Sequence, residues 1–72
     1  MPKLPVFKSK DLIKALEKLG FEIVRTRGSH YHLKKENFLV TVPFHNKELK
    51  TGTLKSILSQ ANLTIEDIKK VI

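Results

Sequence analysis

The sequence predicts an α+β fold: one helix, a three-stranded antiparallel sheet, a second helix and a short extra C-terminal helix. Three observations predict it. Apolar residues recur at helical spacing after Ser9 and again after Gly52. Between these stretches lie three short runs of strand-like composition, separated by tight polar turns. Runs so closely linked have no room for a crossover, so they form an antiparallel meander. Such a sheet needs cover on one face, and the two main helices are the only elements able to supply it. At 72 residues the chain has room for a single core, and residues 1–72 are read as one domain.

The first helix is expected to start with Ser9 as its N-cap and Asp11 in its first turn, where the helix dipole favours an anion. Leu12, Ile13, Leu16 and Leu19 form its apolar face, Lys10, Lys14 and Lys18 a basic ridge on the other side, and Gly20 the left-handed stop. Phe21 to Thr26 reads as a strand with Phe21 and Ile23 on one face, and Arg27-Gly28-Ser29 as a turn. His30 to Lys34 is the second strand, with Tyr31 and Leu33 on one face and His30, His32 and Lys34 on the other. Lys35-Glu36-Asn37 is a hairpin loop, and Phe38 to Val42 the third strand, ended by Pro43. Tyr31 and Phe38 are assigned to the core rather than to base stacking. Phe44 to Lys50 reads as a polar connector. Thr51 or Gly52 caps the second helix, whose face is Leu54, Ile57, Leu58 and Ala61 and whose end is Asn62. Thr64-Ile65-Glu66-Asp67 is close to a capping box and opens the short last helix, with Ile65, Ile68 and Ile72 on one side.

Composition narrows the function. The absence of cysteine excludes a disulfide scaffold, a thiol nucleophile and a thiolate zinc site. The longest apolar stretch is a few residues, against the ~20 needed to span a bilayer. Met1-Pro2-Lys3-Leu4-Pro5 lacks the apolar segment of a secretory signal, so a soluble cytoplasmic protein without a membrane partner is expected. Fourteen Lys and Arg against seven Asp and Glu give a net charge of +7. Residues 1–55 carry 12 basic and 5 acidic side chains, and residues 56–72 carry 2 of each. A field concentrated in this way attracts polyanions, nucleic acid first. An acidic protein partner, a membrane surface and simple solubility are the alternatives.

Three histidines are the side chains able to exchange protons near neutrality. No serine–histidine–acid triad and no carboxylate pair suited to glycoside or metal chemistry is legible. His30 follows Gly28-Ser29, where a glycine lets another backbone approach closely, and Arg25 and Arg27 flank it. An imidazole among cations can take a proton from a ribose 2′-OH or give one to the 5′-oxygen leaving group. RNA carries its own nucleophile, so such a site needs neither metal nor cofactor. The alternative is a surface histidine on a basic strand. His30 and His32 with His45 could form a three-histidine zinc site, but the spacing is weakly specific and the surrounding positive charge opposes it; no metal is expected. His32 stands between a second proton-transfer group and an exposed side chain. Lys50, Gly52, Thr53 and Lys55 mark the start of the second helix, either a seat for phosphate or simply a helix start capped by Thr51.

Leu19-Gly20-Phe21, Gly28-Ser29-His30, Val42-Pro43-Phe44-His45, and Gly52-Thr53-Leu54 running on through Ile57-Leu58 resemble, in this order and spacing, the HicA family of toxins. These are the small mRNA interferases of bacterial and archaeal HicA–HicB toxin–antitoxin pairs. The resemblance implies a double-stranded-RNA-binding-domain-like α-β-β-β-α fold. It implies ribosome-independent cleavage of mRNA, with the histidine after Gly-Ser, here His30, as the catalytic residue. It also implies a hetero-oligomer with an acidic HicB-like antitoxin whose docking blocks the site. His45 matches a Pro-x-His element to which the resemblance assigns no catalytic role, and nothing carries over to His32. The RNA-binding residues expected on this reading are Lys10, Lys14, Arg25, Arg27, Gly28, Ser29, His45, Lys50, Thr53 and Lys55. The alternatives are a non-catalytic double-stranded-RNA-binding module of the same fold and a module that binds only protein.

Overall fold

A computed structural model describes residues 7–44 and 48–71 of the chain. The element order is α1 (Ser9–Lys18), β1 (Glu22–Arg27), β2 (His30–Lys35), β3 (Phe38–Pro43), α2 (Thr51–Ala61) and α3 (Ile65–Lys69). The three strands form one antiparallel sheet in the order β1-β2-β3, so β2 is central. This is the α-β-β-β-α layout with a further short helix. Each strand closes one residue later than the sequence reading, and β1 also starts one residue later, at Glu22.

One face of the sheet carries the core. Leu33 on β2 and Val40 and Val42 on β3 are fully buried beneath Leu12, Leu16, Leu54 and Ile57. The helices pack unevenly, α2 against β3 and α1 against β1, β3 and α3. Every residue of β1 stays exposed, including Ile23, which lies 42% open despite sharing the face of Leu33. Phe38, assigned to the core above, is 36% exposed instead: it is the first residue of an edge strand, past the reach of the helices. Tyr31 is half-buried and packs its ring on Phe44 at 5.2 Å.

Helix ends follow local chemistry, with two corrections. Lys8, not Ser9, is the N-cap of α1, and Lys50, not Thr51 or Gly52, is that of α2; neither side chain caps. Ser9 instead sits inside α1, buried, and its hydroxyl donates to the Pro43 carbonyl at 2.7 Å. A buried hydroxyl requires a partner, and here that requirement ties the start of α1 to the end of β3. Gly20 ends α1 at φ +105°, with the Phe21 N–H donating to Leu16 and the Gly20 N–H to Glu17, the double closure of a Schellman turn. Asn62, at φ +56°, ends α2 in the same way through Leu63 to Leu58 and Asn62 to Ser59. Thr64 and Asp67 form the reciprocal capping box of α3.

The segment read as a polar connector is partly structural. Leu49 is buried, its N–H donates to the Phe7 carbonyl at 2.8 Å, and the backbones of Lys8 and Glu48 pair in an isolated antiparallel β-bridge. Phe7 and Leu49 both join the core, which periodicity within helices and strands does not reveal.

Candidate functional site

His30 is the first residue of β2, exposed, immediately after a two-residue turn of Gly28 and Ser29. Gly28 takes φ +59°, the left-handed geometry that tight hairpins demand, and a Cβ placed there would meet nothing within 4 Å. The backbone beside His30 is therefore open to a bulky ligand. Pairing sets His30 between Arg27 on β1 and Pro43 on β3, and His32 between Arg25 and Thr41.

The arginines reach this face through a β-bulge. The register slips between Ile23, opposite Leu33, and Arg25, opposite His32. Were the register of Ile23 continued unbroken, Arg25 would fall opposite Tyr31 on the core side. The extra residue, Val24, reverses the alternation, so that Arg25 and Arg27 share the outer face with His30 and His32. Strict alternation from Phe21 and Ile23 puts both arginines on the core face. The only signal of the bulge in the sequence is that conflict: two cations at positions due for burial. Glu22, opposite Lys34, is the acidic residue that the register adds to this face, away from His30.

Both long helices start at the same end of the molecule. Ser9 bonds Pro43, the strand partner of His30, and Phe7 and Lys8 pair with Leu49 and Glu48 just ahead of α2. Lys10, in the first turn of α1, and Lys50, the N-cap of α2, are exposed there. Gly52 faces open space, Thr53 is half-buried, and Lys14 and Lys55 are exposed further along their helices. Arg25, Arg27, Gly28, Ser29 and His30 thus form one contiguous surface, while the lysines lie on or next to the helices, which cover the other face of the sheet. His45 lies outside the described residues, and with it the three-histidine zinc arrangement. Among the described residues no three His, Asp or Glu side chains cluster to hold a metal.

His32 is held by a side-chain bond within the sheet. Its ring is half-buried, and Nδ1 lies 3.1 Å from Thr41 Oγ1. The Thr41 N–H, pointing out of the sheet edge, donates to Gln60 Oε1 of α2 at 3.2 Å.

The family model described as the HicA toxin of bacterial toxin–antitoxin systems matches residues 9–63, from the first residue of α1 past the end of α2. No curated protein matches the chain. The family match takes in the whole sheet and both long helices, and with them the Gly28-Ser29-His30 turn. The chain therefore belongs to the HicA toxin family, the toxin half of a bacterial toxin–antitoxin pair, which implies an antitoxin as its partner.

Proposed function

We propose that this toxin is an endoribonuclease of the mRNA interferase type, with His30 as its general acid/base. One observation carries the reading: His30 is exposed beside an unobstructed glycine, on a face whose neighbouring charges are Arg25 and Arg27. A ribose 2′-OH attacks the adjacent phosphorus as His30 accepts its proton, and the bond from phosphorus to the 5′-oxygen breaks, the 5′-oxygen leaving as a hydroxyl once protonated. The arginines offset the charge that builds on the non-bridging oxygens. The RNA supplies the nucleophile, so the reaction calls for no metal. Ser29 and the Gly28 backbone sit where the phosphodiester passes, and Lys10, Lys14, Lys50, Thr53 and Lys55 hold flanking phosphates. His45 joins them through its place in the Pro-x-His element. The antitoxin in this reading is an acidic HicB-like protein that covers His30, and cleavage of messages arrests translation and growth in the cytoplasm.

The test is cleavage of RNA in EDTA by wild type and His30→Ala, alongside RNA affinity and thermal melting. Wild type should cleave; the variant should lose cleavage while keeping its fold and most of its affinity. Cleavage by His30→Ala at the wild-type rate would overturn the assignment. Intact RNA with salt-sensitive binding by wild type would mark a non-catalytic double-stranded-RNA binder instead.

A further inference from the structure

We propose that His32 is the second proton-transfer group of this reaction, the general acid that complements His30; the proposal rests on the ribonuclease reading. Displacement at phosphorus is in line, with attacking and leaving oxygens on opposite sides. One imidazole cannot serve both oxygens at the same instant, so a second group is needed at the leaving oxygen. His30 and His32 are two apart on one strand, on one face, with backbones roughly 7 Å apart at 3.3 Å per residue. Two such rings can flank a single phosphate, each at hydrogen-bond reach of its oxygen.

The surroundings of His32 suit the role. Thr41 Oγ1 holds Nδ1, and Thr41 is itself tied through its N–H to Gln60, whose Nε2 donates to Ser56 Oγ at 3.2 Å. This chain of bonds runs from α2 across the β3 edge to the ring. A histidine held at one nitrogen is oriented at the other, and a hydroxyl can accept from Nδ1–H while Nε2–H faces a substrate. The groups facing His32 are Arg25 from β1, His30 and Lys34 along β2, and Thr41 from β3, with Glu22 next on the same face, opposite Lys34. In the step proposed, the 2′-oxygen forms its bond to phosphorus as His30 takes the 2′ proton. The bond from phosphorus to the 5′-oxygen breaks with its electron pair, and His32 Nε2–H supplies the proton to that oxygen. The products are a 2′,3′-cyclic phosphate and a free 5′-hydroxyl, with both imidazoles left in exchanged protonation states.

The experiment uses an RNA oligonucleotide that wild type cleaves, and the same oligonucleotide with sulfur replacing the 5′-oxygen at the cleaved linkage. A thiolate leaves without a proton, so it removes the need for the acid alone. His32→Ala should cleave ordinary RNA about 10²–10⁴-fold more slowly, yet approach the wild-type rate on the sulfur substrate, while His30→Ala fails on both. Thr41→Val should lose part of the rate on ordinary RNA, and Thr41→Ser should restore it. His32→Asn, which can still bond Thr41, replaces the alanine variant if that variant melts early. Wild-type cleavage of ordinary RNA by a folded His32 variant, or an equal loss on both substrates, overturns the proposal. Failure of wild type to cleave either substrate sinks the ribonuclease reading itself, and His32's role with it.

Discussion

Glu36 opens the two-residue turn between β2 and β3 at φ +55°, a conformation in which an L side chain crowds its own carbonyl. A left-handed non-glycine residue costs about 1–2 kcal/mol, and glycine would return part of that gain through the greater freedom of its unfolded chain. Glu36→Gly should therefore stabilise the fold by about 0.5–1 kcal/mol in urea denaturation, without changing RNA cleavage. Gly20 is the opposite case. Its φ of +105° suits no side chain, and an added Cβ would sit 3.2 Å from Lys35 Cε. That lysine donates to the Leu19 carbonyl at 2.7 Å and places its charge at the C-terminus of α1, where the dipole favours it. Gly20→Ala should destabilise by about 1–2 kcal/mol or more in the same assay, from backbone strain plus displacement of Lys35. Both glycine positions, 20 and 28, are legible from turn chemistry; Glu36 is not, because nothing in its side chain announces a left-handed backbone.

At the scale of elements, α3 is five residues long and depends on its start. The Thr64 N–H and hydroxyl both donate to Asp67 Oδ2, at 2.9 and 3.1 Å, and these bonds hold the Asp67 carboxyl below its ordinary range. A carboxylate with a lowered folded-state pKa stabilises at neutral pH and loses that contribution as pH falls through and below the ordinary carboxylate range. The melting temperature of Asp67→Ala should thus fall short of wild type at pH 7, and the gap should close in strong acid. The capping residues of α3 could be read from spacing alone, since Thr64 and Asp67 lie three apart ahead of an apolar run. Those of α1 and α2 could not. Ser9 and Thr51 have the right chemistry one residue too late, and at Ser9 a tertiary partner, the Pro43 carbonyl, outcompetes the local cap. Pro43 itself fits where it lies. Thr41 turns its N–H out of the sheet to Gln60, so by two-residue alternation the position of Pro43 is one where a missing N–H costs no ladder bond.

For the whole molecule, the Ser9–Pro43 bond decides how α1 meets the sheet. Ser9→Ala leaves that part-buried carbonyl short of a donor and should cost about 1–2 kcal/mol in urea denaturation. The charge of +7 acts at the same scale. Removing one cation that neutralises a phosphate should flatten the dependence of log affinity on log salt by about 0.7–0.9. Lys10→Ala and Lys14→Ala should therefore each shift the slope measured by RNA titration, while Lys69→Ala, on the neutral C-terminal segment, leaves it unchanged. The element order, the faces of both long helices, the Gly28-Ser29-His30 turn and the excess of positive charge were all determined by the sequence by itself. These depend on spacing, turn residues and composition, which are local properties. Three features belong to the tertiary structure alone: the bulge at Val24 that turns Arg25 and Arg27 onto the histidine face, the Thr41–Gln60 tie that holds His32, and the meeting of both helix starts beside His30. Each depends on which residue lies opposite which across the sheet or between layers, and such pairing is fixed only when distant segments pack together.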